Sequence, residues 1–168
     1  MIIQSIVSEN DRELTTGLGN WAGDATWEAG PILGREGVMR FQILAGPASK
    51  AESLQHPHVK MPAGESFLLT AMSVAIPFNA TQYMSLKITI EDGTTIIGPL
   101  EPAGYAQADW NVWNVQFSTP AGWVEANGKL TLTTNNPYAT ERNLYLDHFS
   151  LSYEVPAKIQ YLPLMGVG

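Results

Sequence analysis

The sequence predicts an all-β chain folded as an antiparallel β-sandwich, and three observations predict it. Charged residues make up only 15% of the 168 positions, while glycine numbers 15 and proline 11, a balance typical of short strands joined by tight turns. Several segments alternate apolar and polar side chains with period two, as strands with one dry and one wet face do. No segment sustains a 3.6-residue period over three turns, so crossover helices are missing and two sheets must hide their apolar faces on each other.

The elements follow in order. The opening "MIIQSIV" and "VMRFQIL" (Val38 to Leu44) read as strands. The strongest pattern is "FLLTAMSVAI", Phe67 to Ile76, followed by "YMSLKITIE", Tyr83 to Glu91, where Met84, Leu86, Ile88 and Ile90 alternate with Ser85, Lys87 and Thr89. Asp92 and Gly93 then suit the two positive-φ positions of a tight hairpin turn, returning "TTIIG" beside that strand. "WNVWNVQFS" (Trp110 to Ser118), "KLTLTT" (Lys129 to Thr134) and "NLYLDHFSLSYE" (Asn143 to Glu154) complete the set. Gly46 to Glu65 and Gly98 to Asp109, rich in Gly, Pro and Ala, are expected as long loops. Residues 1–156 make one sandwich domain, and 157–168 form an apolar tail too short to fold alone.

A 45% hydrophobic content supplies one ordinary core at this length. Nine Lys and Arg against 16 Asp and Glu give a net charge of −7, which repels phosphate backbones and anionic lipid, so neither nucleic acid nor membrane is expected as a partner. No run approaches the ~20 apolar residues of a membrane span, and the start lacks the basic residues and cleavage site of a secretory signal. With no Cys, disulfides, thiolate metal sites and thiol catalysis are excluded.

Glycan recognition needs aromatic faces for stacking and amides or carboxylates for the hydroxyls. Trp21, Trp27, Trp123, Tyr105 and Tyr138 lie among Gly, Ala and Asn in expected loops, and Arg40, Gln42, Asn114 and Gln116 take the outward parity of two strands, where they line a groove across a sheet. For each loop aromatic the competing reading is a cap on the core. "HPH" sets His56 and His58 two apart, a weak transition-metal signal. Asp147 shares parity with Phe149 and so leans toward the apolar side, where an unpaired carboxylate costs several kcal/mol. No strand carries the alternating acids of a glycosidase, and there is no Gly-x-Ser-x-Gly elbow, Gly-rich phosphate loop or His-Glu-x-x-His helix. The expectation is a non-enzyme.

Three stretches carry a family resemblance. "TTGLGNW" looks like an early loop ending in Gly-Trp, "WNVWNVQFSTP" is similar to a Trp, aromatic, aliphatic, Phe strand running into Pro, and "LYLDHFSLSYE" looks like a closing strand with its Asp. Together, from about Gly17 to Glu154, the chain resembles the jelly-roll carbohydrate-binding modules with a galactose-binding-like fold. The resemblance implies glycan binding and a structural calcium held by Asp147 beside the first loop, with Glu9, Asp11 and Glu13 as further oxygen ligands of the kind that ion takes. The family's Asn-Gly-x-Phe-Glu run is absent from this N-terminal stretch. The residues themselves leave a second account of Asp147 open: backbone N–H groups, Arg12 or Arg142.

Two readings of different class emerge. The first is a glycan-binding module working through loop aromatics. The second is a docking subunit of a larger assembly, such as a virion decoration or tail-associated protein, with a protein lattice or a homo-oligomer as partner. Its anchors are the apolar start (Ile2, Ile3, Ile6, Val7) and the tail residues Tyr161, Leu162, Leu164 and Met165. Either reading belongs on an extracellular or virion surface.

Overall fold

The computed structural model describes residues 2–5, 13–43, 50–56, 59–81, 84–136 and 140–155, with side chains except at 2–5, 43, 50–52, 54 and 155. Eleven strands among them form two antiparallel sheets: β1 (Ile2–Ser5), β2 (Ala22–Gly23), β3 (Thr26–Glu28), β4 (Val38–Ile43), β5 (Lys50–His56), β6 (Ser66–Ile76), β7 (Ser85–Glu91), β8 (Ile96–Leu100), β9 (Asn111–Ser118), β10 (Lys129–Asn136) and β11 (Arg142–Val155). Sheet A runs β3-β4-β11-β6-β9, with β1 also paired to β11; sheet B runs β2-β5-β10-β7-β8. A 3-10 turn lies at Glu125–Asn127.

Alternation decides which atoms meet between the sheets. Met39, Phe41, Phe67, Leu69, Trp113, Val115, Phe117, Leu144, Leu146, Phe149 and Leu151 of sheet A face Leu86, Ile88, Ile90, Leu130 and Leu132 of sheet B in one buried cluster. Each fully buried aliphatic or aromatic side chain contributes about 1.5–3 kcal/mol.

Two local expectations are corrected. The stretch expected as a loop from Gly46 to Glu65 contains β5, seven residues paired with β10 from His56↔Leu130 to Lys50↔Asn136. "KAESLQH" has weak intrinsic strand preference, and its pairing with β10 makes it a strand. The β7–β8 turn is not a two-residue turn: Gly93 has φ +91° but Asp92 does not have positive φ. Instead Asp92 is fully buried and caps a four-residue loop, its Oδ1 accepting from the N–H of Thr94 (3.0 Å) and Thr95 (2.7 Å) and its Oδ2 from the N–H of Val124 (2.8 Å).

These backbone donors, led by Thr95 and Val124, hold the Asp92 carboxyl far below the usual carboxylate range. A depressed folded value means that the ionised group stabilises the fold above its unfolded pKa of about 3.9 and loses that contribution as pH falls through the folded value. Asp92→Ala is therefore expected to lower the urea midpoint at pH 7, and the gap between wild type and variant should narrow as pH drops below about 4. A gap independent of pH would contradict the capping role.

Candidate functional site

The outer face of sheet A is organised by one irregularity in β11. Up to Leu146 this strand pairs with β4 on one side, and from Ser152 it pairs with β1 on that same side. Between them the register against β6 slips from Asp147↔Met72 to Ser150↔Thr70, and His148 adopts φ +57°. This is a β-bulge, which inserts a residue and changes which face the following side chains take. Leu144 and Leu146 point inward before it, Phe149 and Leu151 after it.

Asp147 therefore does not share the inner face with Phe149, as strict alternation predicts; it falls on the outer face with Tyr145. It is nonetheless 2% exposed, because a hairpin over residues 29–37 folds onto that face. Its tip is a two-residue turn: Ile32 and Arg35 exchange backbone hydrogen bonds of 2.8 and 3.1 Å, with Leu33 at φ +46° and Gly34 at φ +83°. Ile32, Ile76 and Trp110 pack on Val38, Val74 and Tyr145 as a small second core. Arg35 reaches back, its Nε and Nη2 each donating to Asp147 Oδ2 at 2.7 Å, and its guanidinium lies 5.6 Å above the Trp110 ring. Trp110 Nε1 donates to the Ile32 carbonyl at 2.9 Å.

Asp147 Oδ1 accepts from the His148 N–H at 2.7 Å, and the His148 ring meets Glu13 at 3.2 Å. Burial pushes the Asp147 carboxyl above the usual range, and Arg35 and the His148 N–H pull it back in part. Among the described residues the partner is thus Arg35 and not Arg142; Arg12 lies outside them. Both Asp147 oxygens are engaged, and among the described residues no three acidic or histidine side chains converge on a metal position. Glu9 and Asp11, two of the calcium ligands that the resemblance implies, lie outside the described residues; within them the guanidinium of Arg35 supplies the positive charge beside Asp147.

The polar residues chosen for outward parity do share a surface. Arg40 and Gln42 of β4 and Asn114 and Gln116 of β9 all lie on the outer face of sheet A, with β11 and β6 between them. At one end Arg40 bonds Glu28 (3.0 Å) and Asn143 (3.1 Å), and Gln42 bonds Glu141 (2.6 Å). At the other, Asn114 lies in a row with Thr70 and Ser150, and Gln116 with Leu68 and Ser152. Here a cleft of about 580 Å³ opens, lined by Glu65, Ser66, Leu68, Gln116, Ser118, Ser152 and Glu154, within the size range of small-ligand sites.

The loop aromatics are corrected. Trp21 (3% exposed), Trp123 (5%) and Tyr105 (4%) belong to the main core, with Trp21 packed 4.8 Å from Phe149 and 5.2 Å from His56. Their faces are covered by protein, so no sugar can stack on them in this arrangement. Trp27 is half-buried, its indole N–H bonded to the Leu14 carbonyl at 2.7 Å. Tyr138 lies outside the described residues. His56 is a core residue, and His58 lies outside the described residues. Sequence reading passed over Phe78, which at 41% exposed is the one exposed aromatic among the described residues. It stands two residues beyond the end of β6; the signal was its place just after Pro77, where a strand has ended.

No protein-family model matches the chain, and no curated protein matches it. Solved structures do. A family 16 carbohydrate-binding module is similar over 87% of this chain and 97% of its own, at TM-score 0.59 and 16% identity. A cyclase from Fischerella sp. TAU is similar over 91% and 98%, at TM-score 0.61 and 11% identity. The chain also matches 21% of an enzymatically active domain of tailspike protein 4 from bacteriophage CBA120, over 89% of itself, at TM-score 0.57 and 10% identity. The chain has the jelly-roll fold of carbohydrate-binding modules. Because a cyclase shares it, the fold alone does not assign binding or catalysis.

The Arg35–Asp147 pair gives a direct test. Arg35→Ala leaves a buried carboxylate unpaired and is expected to cost about 3 kcal/mol in urea unfolding at pH 7, whereas Arg35→Leu/Asp147→Leu recovers most of it. Equal losses in the single and double variants would show that the hairpin's packing, and not the charge, is at stake.

Proposed function

We propose that this chain is a glycan-binding module whose site is the outer face of sheet A. The observation that carries the reading is the polar surface that Arg40, Gln42, Asn114 and Gln116 share on one face, joined by Thr70, Asn143, Ser150 and Ser152 from the strands between. Amides, hydroxyls and a guanidinium are the groups that hydrogen-bond sugar hydroxyls, and their spread across four strands matches an extended ligand better than a compact one. The carbohydrate-binding modules of the same fold support it, among them one solved in complex with β-1,4-galactotriose. Phe78, two residues beyond the end of β6, offers an exposed ring for stacking.

Titration calorimetry against soluble oligosaccharides tests this. Gln116→Ala and Asn114→Ala should each weaken binding about tenfold, the loss of one or two hydrogen bonds, while shifting stability by no more than about 0.5 kcal/mol. Phe78→Ala should weaken binding without altering the melt. Undiminished affinity in all three variants, or no ligand in a broad panel, would move the site elsewhere.

A docking subunit is the second reading, drawn from the tailspike likeness. β1 (Ile2–Ser5) pairs with β11, which makes the chain start an edge strand of the sandwich; the tail residues Tyr161, Leu162, Leu164 and Met165 lie outside the described residues. Deletion of 157–168 tests the tail as an anchor: loss of an assembly with the fold intact supports docking, and an unchanged native mass removes it.

A further inference from the structure

The edges of the two sheets are treated very differently. In sheet B, β2 is two residues long, and β8 is five residues with Pro99 within it and a register slip against β7. In sheet A, β3 is three residues and carries Glu28, and β1 is four. These are the ordinary devices that keep a sheet from recruiting another strand: shortness, charge, proline and irregularity. β9 has none of them. It is the end strand of its sheet, eight residues in regular register with β6 from Ser66↔Ser118 to Ser73↔Asn111. Its sequence, NVWNVQFS, contains no charged residue, no proline and no glycine. Among the described residues, no backbone bond outside the strand ladders involves it. It offers about 25 Å of regular, uncharged edge.

We propose that β9 pairs antiparallel with β9 of a second copy, joining two A sheets across a two-fold axis. Charge selects this occupant. A chain of net charge −7 repels its own copy over most of its surface, and antiparallel self-pairing sets a strand's side chains opposite those of the same strand, so that a charge on the axis meets itself and like charges placed symmetrically about it meet each other. An edge free of charge is where self-pairing carries no such cost. With Val115 on the axis, Asn114 stands opposite Gln116 of the second copy on the outer face, an amide-to-amide pair formed twice. On the inner face Trp113 stands opposite Phe117 and continues the apolar row. The dimer would present the outer face of sheet A twice, side by side.

The test is native mass by analytical ultracentrifugation across a concentration series, on the full chain and on Asn114→Lys/Gln116→Lys, which sets Lys against Lys across the axis. The expected result is a wild-type dimer and a folded monomeric variant with an unchanged circular-dichroism spectrum. A wild-type monomer at every concentration overturns the proposal, as does a dimer that persists in the folded variant or an open ladder of larger species. Should the variant fail to fold, amide hydrogen exchange of the wild type decides: slower exchange along Asn111–Ser118 with rising concentration supports the pairing, and concentration-independent exchange there overturns it. The readout is mass and protection, so it is independent of whether a glycan binds.

Discussion

The bulge at His148 is the constraint on which the architecture of sheet A rests. β11 is the central strand and has to serve two neighbours on one side, β4 along its first half and β1 along its second. Inserting one residue between those halves lets Leu146 and Phe149 both face the core although their spacing is odd. The same insertion leaves a carboxylate on the outer face, where it becomes the fixed point for the hairpin that arrives from residues 29–37. A buried acid of this kind adds little net stability, since desolvation offsets most of the attraction. What it specifies is position: only one hairpin placement brings a guanidinium to that carboxylate and to the Trp110 ring together.

That placement divides the outer face. The hairpin and its small apolar core cover the rows around Val38, Val74 and Tyr145, leaving polar surface on both sides. The carboxylates described around Arg40 and Arg35 are already engaged, Glu28 with Arg40 and Asp147 with Arg35. Their charge is spent on holding the scaffold. The chemistry left at the cleft end of the face is that of amides and hydroxyls, with the carboxylates of Glu65 and Glu154 at the cleft itself.

Much of this was legible in the residues. Wherever alternation was regular, as in β7 and β9, strand and facing came out correctly, because period two has one physical meaning. Asn114 and Gln116 were placed on an open face by that rule alone. β5 was hidden because its strand character comes from pairing with β10, a contact made across 70 and more residues, which no local pattern records. Asp147 was misplaced by one face because a bulge breaks the rule without leaving a glycine or proline as a mark. The loop tryptophans misled for a different reason: in a sandwich the ends of the core need plugs, and large aromatics beside Gly and Ala serve as plugs as readily as they serve as binding platforms.

The split edge of β11 also bears on how the chain comes together. Its partners β1 and β4 precede it in the chain and β11 is the last of the described strands, with Ile2 set against Val155 and Met39 against Leu146. Sheet A thus lacks its middle until β11 has emerged, and closing it brings together segments far apart in sequence, the arrangement associated with slow folding. Until then β4 and β6 expose apolar rows with nothing between them, so the nascent sheet is at its most adhesive just before β11 joins it. A late-arriving keystone makes correct assembly an all-or-none event.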